Sequence, residues 1–170
     1  MNMQFKRRMP SPQEIKDMYP ISEELALKKK DNDRAIQRVF AGESDKLILV
    51  IGPCSADRED AVLEYISRLR RVQEKVQDRI VIVPRIYTNK PRTKGVGYMG
   101  MFLQPDPEGA ADIARGIRSV RALHIAAINA SGLTAADEML YPENTPYVED
   151  LLSYHAVGAR SVENPLHRQV

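Results

Sequence analysis

The chain has 170 residues, of which 43% are apolar and 28% charged, with a formal net charge of +2. That balance fits one soluble globular domain, excludes a disordered tail and points to no polyanionic partner such as a nucleic acid. No apolar run approaches the ~18–20 residues that span a bilayer, and the basic start at Lys6-Arg7-Arg8 leads into no hydrophobic signal region, so a cytosolic setting without membrane contact is expected. Cys54 is the single cysteine, which rules out an internal disulfide framework. A complete (β/α)8 barrel needs ~250 residues, more than this chain has.

Residues 1–45 read as an N-terminal arm of helical pieces. Ser11-Pro12-Gln13-Glu14 has the form of a capping box with proline at the first helical position, and Tyr19-Pro20 ends that helix. A second helix starts at Ser22, carries Leu25, Leu27, Ile36, Val39 and Phe40 as an imperfect stripe, and ends at Gly42.

From residue 46 the pattern alternates between strand and helix. Leu47-Ile48-Leu49-Val50-Ile51 is a continuous apolar run, as for a strand covered on both faces, stopped by Gly52-Pro53. Asp57 is the expected cap of the next helix, whose inward stripe is Val62, Ile66, Leu69, Val72 and Val76. A second strand begins at Ile80, followed by a long loop over about 88–107. The next helix is expected over about 108–130, ending at Gly132, with Ile113, Ile117, Val120, Leu123, Ala127 and Ile128 inward. Residues 134–140 read as a weaker third strand and Thr145-Pro146 as the start of a helix with Val148, Leu151 and Leu152 inward. His124 is expected on a helix and His155 at a helix end. A fourth strand over 157–162 and a final helix opened by Asn164-Pro165 complete the chain. The class is therefore α/β with a parallel sheet: about four βα units, half of a (β/α)8 barrel, or alternatively a small doubly wound sheet.

Local charge is more informative than the total. Between Asp78 and Asp106 there is no acidic residue, while Arg79, Arg85, Lys90, Arg92 and Lys94 place five positive charges in 27 residues. Lys90-Pro91-Arg92-Thr93 sets an ammonium, a guanidinium and a hydroxyl on a stiffened turn after a parallel strand, a set suited to phosphate oxygens; a solvated basic loop is the bland alternative. Gly95-Val96-Gly97-Tyr98-Met99-Gly100 matches the dinucleotide fingerprint in letters only, because Pro105 and Pro107 follow it and no helix can start there. Cys54, at the carboxyl end of the first strand, suits metal ligation or nucleophilic attack, or simply packs as a small hydrophobe. Arg85, Glu138 and Arg160 fall at expected strand ends, facing a site or paired internally as Arg160–Glu138 or Arg85–Glu138.

The segments IGPCS at 51–55, PRIYTNKPRT at 84–93, GYMG at 97–100, SGLTAADEML at 131–140 and GARSVENPLHR at 158–168 resemble, in order, the type I 3-deoxy-D-arabino-heptulosonate 7-phosphate (DAHP) synthases. The resemblance implies a (β/α)8 barrel that condenses phosphoenolpyruvate with erythrose 4-phosphate, the first step of the shikimate pathway, with a divalent metal (manganese, iron, cobalt or zinc). It makes Cys54 a metal ligand, Arg85 and Lys90 phosphoenolpyruvate contacts, and Arg160 a holder of its phosphate. Arg92 and Thr93 become the anchor of the erythrose 4-phosphate phosphate, and Glu138 the acidic residue near phosphoenolpyruvate. The arm is similar to the family's extension used for oligomer contacts and for feedback by aromatic amino acids. Met99 stands where many members have a basic residue, and Asp137 where glycine is common. The family's remaining metal ligands and phosphate contacts belong to the second half of the barrel, so the isolated chain is expected to be inactive and to need a complementary C-terminal half or a homo-oligomer. The alternative is a non-catalytic half-barrel that binds phosphorylated ligands or regulates a full-length synthase. A further alternative is a small phosphate-binding α/β protein of another reaction class.

Overall fold

A computed structural model describes residues 7–92, 96–159 and 161–169. The order is α1 (Pro12–Met18), α2 (Glu23–Phe40), β1 (Leu47–Ile51), α3 (Glu59–Val76), β2 (Ile80–Pro84), α4 (Ile113–Ser131), β3 (Ala135–Glu138), a 3-10 turn (Pro142–Tyr147), β4 (Leu152–Ala156) and α5 (Pro165–Arg168). The caps at the chain's two ends form as the sequence implies. Ser11 and Glu14 make the reciprocal capping box, Ser22 accepts from Leu25 N–H, and Asn164 accepts from Leu166 N–H.

β1 and β2 pair in parallel, Leu47 with Ile80 through Ile51 with Pro84, and β3 pairs in parallel with β4. A bridge between Arg85 and Ala136 joins the two pairs. α3 and α4 pack together against the strands through Val62, Ile66, Ile117, Val120 and Leu123, all buried. On the other face Ile36 of α2 meets Val83, Ala136 and the half-buried Ile48, Val50 and Tyr154. The arm is therefore packed into the core: Ile15 of α1 is fully buried, and Leu25 of α2 contacts Ile128 and Leu151.

Several sequence expectations give way here. β1 is covered on one face only. Ile48 and Val50 turn to α2, while Leu47, Leu49 and Ile51 are 69%, 39% and 37% exposed, since side chains alternate along a strand and no described helix reaches that face. Asp57 does not cap α3; Arg58 takes that position without a side-chain cap, its guanidinium paired with Asp60. Val72 and Ile113, expected inside, are exposed. α4 starts at Ile113 rather than 108, because 106–109 close into a turn held by Asp106 and by Gln104, whose amide donates to Pro107 O and Gly109 O; Asp112 then caps Arg115 N–H. The largest shift is at the fourth strand. Thr145-Pro146 lies inside the 3-10 turn of Pro142–Tyr147 and opens no α-helix, and Leu152–Ala156, not 157–162, pairs with β3. His155 thus sits within β4, beside Asp137 of β3.

Candidate active site

The site is built where the strands end. Past β1 the chain runs through Gly52 and Pro53 to Cys54; past β2 it runs directly into Arg85. The two segments touch: a Cβ on Gly52 would lie 2.2 Å from Arg85 O, so only glycine fits. Arg85 N–H donates to Ile51 O at 2.8 Å, its guanidinium donates to Pro53 O, and it lies 3.7 Å over the Tyr87 ring. Stacked and hydrogen-bonded, the guanidinium is held at the strand ends.

Lys90 Nζ lies 2.6 Å from Cys54 Sγ. Its hydrogen bond and charge, followed by the charge of Arg85, hold the exposed Cys54 thiol below the ordinary thiol range. Cys54, Arg85 and Lys90 are therefore one cluster with two cations around one sulfur. Among the described residues no three His, Cys, Asp or Glu side chains converge as a metal site. One thiolate does not make a selective site, so these residues by themselves do not fit a divalent ion.

Arg92 is exposed, its Nε donating to Tyr98 O at 2.7 Å across the turn at Gly97. Burial, with a smaller contribution from Asp57, pushes the Tyr98 phenol up to about 12. Lys90 N–H donates to Met99 O and Phe102 N–H to Thr88 O, so the long loop folds back on itself beside the cations. Residues 96–112 contain no helix, so the glycine segment does not open one. Glu138, at the end of β3, shares a strand face with Ala136, the bridge partner of Arg85, and its Oε1 lies 2.7 Å from where a Cβ on Gly158 would stand. No Arg85–Glu138 ion pair forms. Thr93 and Arg160 lie outside the described residues.

Beside Glu138 the strand ends form a small, partly open pocket of about 20 Å3, lined by Thr88, Asn89, Asp137, Glu138, Asn144 and His155 among others. Asn89 Oδ1 and Asn144 Nδ2 are buried there without a protein partner. Burial pushes the His155 imidazole down, against the opposing pull of Asp137, and so favours its neutral form. Thr88, Asn89, Asn144 and His155 escaped the sequence reading because their positions in a loop, a 3-10 turn and a misassigned strand carry no periodic signal. Asp137 offered one cue, an acid among the alanines of a strand.

Residues 18–170 match the DAHP synthetase I family. The chain belongs to that family. It is 36% identical over 160 residues to the Trp-sensitive phospho-2-dehydro-3-deoxyheptonate aldolase of Salmonella typhimurium, an alignment covering 94% of this chain and 45% of that protein. It is 34% identical to the Tyr-sensitive enzyme of Escherichia coli K12, covering 94% and 44%. The solved phospho-2-dehydro-3-deoxyheptonate aldolase of Francisella tularensis superimposes with a TM-score of 0.91 at 28% identity, over 98% of this chain and 48% of that one. This chain thus spans a little under half the length of the family members it matches. No helix among the described residues is long and apolar enough to cross a membrane.

Proposed function

We propose that this chain carries the N-terminal half of a DAHP synthase site, on the first four βα units of a (β/α)8 barrel, with residues 1–45 as an arm for self-association or aromatic amino-acid feedback. The observation that carries it is the convergence of Arg85, Lys90 and Cys54 at the carboxyl ends of β1 and β2, with Glu138 on the adjoining strand face. The reaction so assigned joins phosphoenolpyruvate, erythrose 4-phosphate and water to give DAHP and phosphate.

In this reading Arg85 and Lys90 hold the phosphate and carboxylate of phosphoenolpyruvate, with Arg160 as a further phosphate contact. Fixed cations at a partly water-excluded strand end offset anionic charge without having to reorganise during the reaction. Arg92, with Thr93, takes the phosphate of erythrose 4-phosphate at the outer side of the loop. Glu138 is the acceptor available there for a water or hydroxyl hydrogen. A divalent ion bound through Cys54 requires further ligands from a second chain segment, as does the rest of the phosphate site.

Titration of the 170-residue chain with phosphoenolpyruvate tests the half-site: binding is expected, and Lys90→Ala should abolish it. Equal affinity in the variant refutes the assignment. The chain alone with manganese should show no turnover, and adding a C-terminal half from a family member should restore some. Turnover by the chain alone would overturn the half-site reading. Binding without restoration by any such half would favour a regulatory half-barrel.

A further inference from the structure

β2 and β3 are neighbours that share very little ladder. Their backbone link is the Arg85–Ala136 bridge, with Ile86 N–H donating to Ala136 O at 2.9 Å. Beyond it the chain leaving β2 must still hold Lys90 at a fixed distance from β3. A side chain takes over where the ladder stops. Asp137 Oδ1 accepts the Thr88 backbone N–H at 2.9 Å and the Glu138 N–H at 2.7 Å, and Oδ2 accepts the Thr88 hydroxyl at 2.5 Å.

The carboxylate thus stands in for a strand carbonyl, with a second acceptor oxygen that a carbonyl lacks. Asp137 is 5% exposed and Thr88 1%, so these bonds compete little with water. Hydrogen bonds to an ionised acceptor are about twice as strong as neutral ones. His124 Nε2, on α4, stands 3.4 Å behind Oδ2 and closes the far side. On the loop side Thr88 O accepts Phe102 N–H at 3.1 Å, which carries the clamp to the returning limb of the loop. One carboxylate therefore grips both the backbone N–H of Glu138 and the segment between Arg85 and Lys90.

We propose that Asp137 is a positioning residue, whose carboxylate clamps the segment bearing Arg85 and Lys90 to the end of β3 and so sets the spacing between those cations and Glu138. The proposal rests on the anion-binding reading given above and adds to it the part that makes the two sides of the site one rigid unit. Asp137 contacts neither substrate in this scheme. It acts through Thr88 and the backbone of Glu138.

Two measurements on the full 170-residue chain test it: calorimetric titration with phosphoenolpyruvate and, separately, inorganic phosphate, and hydrogen exchange followed by mass spectrometry. Asp137→Ala should weaken phosphoenolpyruvate binding by about tenfold or more, the scale of a lost hydrogen bond to a buried charge. It should also speed exchange in 85–92 while leaving α3 unchanged. Asp137→Asn keeps an oxygen for the Thr88 N–H and should recover most of the affinity, which a loss caused by general destabilisation would not do. Thr88→Val removes one clamp bond with little change in volume, and decides the matter if Asp137→Ala does not fold. Exchange in 85–92 that stays at the wild-type rate in Asp137→Ala and in Thr88→Val, or that rises evenly along the chain, overturns the proposal. If the wild-type chain binds neither anion, the anion reading falls and exchange alone decides whether the clamp exists.

Discussion

Arg121 offers the sharpest energetic test of how the arm and the site are held together. The side chain is 1% exposed on α4, and its guanidinium makes four hydrogen bonds. Nε donates to Tyr19 O at 2.8 Å, one terminal nitrogen donates to Tyr147 O at 3.0 Å and Asp150 Oδ1 at 2.7 Å, and the other donates to Asp150 Oδ2 at 2.8 Å. It therefore links the end of α1, the 3-10 turn and the turn before β4. Arg121→Leu keeps the volume roughly but leaves one carboxylate and two carbonyls without their donor. Breaking a buried pair from one side costs about 3–5 kcal/mol, and because the Asp150 side chain is 25% exposed, water offsets part of that; about 3 kcal/mol is expected. With a urea slope of about 2 kcal/mol/M, the unfolding midpoint should drop by about 1.5 M. Burial raises the Asp150 carboxyl pKa, but the Arg121 hydrogen bonds and charge outweigh it and hold the group below its ordinary value. Because its folded pKa is the lower one, its stabilisation is present above the unfolded value of about 4 and is lost as pH falls through the folded value. Asp150→Asn should flatten that acid limb. Urea titrations at pH 7 and across the acid range measure both effects. A midpoint shift below about 0.5 M for Arg121→Leu, or an unchanged acid limb in Asp150→Asn, would refute the reasoning.

Cys54 should be alkylated by iodoacetamide with a pH midpoint below that of an ordinary thiol, and Lys90→Ala should move the midpoint up; matching profiles for the two proteins would show that Lys90 does not govern the thiol. Gly52→Ala drives a Cβ into Arg85 O and should cost about 1–3 kcal/mol, read by thermal unfolding, together with a loss of phosphoenolpyruvate affinity as Arg85 is displaced. A variant with wild-type stability and affinity would disprove the close approach. The bare face of β1 should drive self-association, so Leu47→Lys combined with Leu49→Thr should lower the apparent mass in light scattering at high concentration; an unchanged mass would mean that this face makes no contact in solution.

Local physics made much of this protein legible. The capping box at Ser11, the caps at Ser22 and Asn164, the apolar run of β1 and the helical stripes of α3 and α4 are short-range signals that operate wherever the chain finds itself. Arg85 and Lys90 stood out because a stretch without acids after a parallel strand is visible in one dimension. The fourth strand did not read correctly: Leu151-Leu152 suits a helix or a strand equally, and only the neighbouring edge of β3 selects Leu152–Ala156 as its partner. Similarly, an apolar run shows that β1 can be buried on both faces, but whether a neighbour covers Leu47, Leu49 and Ile51 depends on packing. Asp137 is the clearest division between the two. Sequence places an acid in an alanine-rich strand, whereas its bonds to Thr88 arise from residues 49 positions away brought within 3 Å by the fold. Read alone, the residues specify the helix starts at Ser11, Ser22 and Asn164, the βα alternation and the cation-rich strand end. Tertiary structure decided strand choice, face coverage and the partners of buried charge, because those depend on contacts that exist only once distant segments have packed.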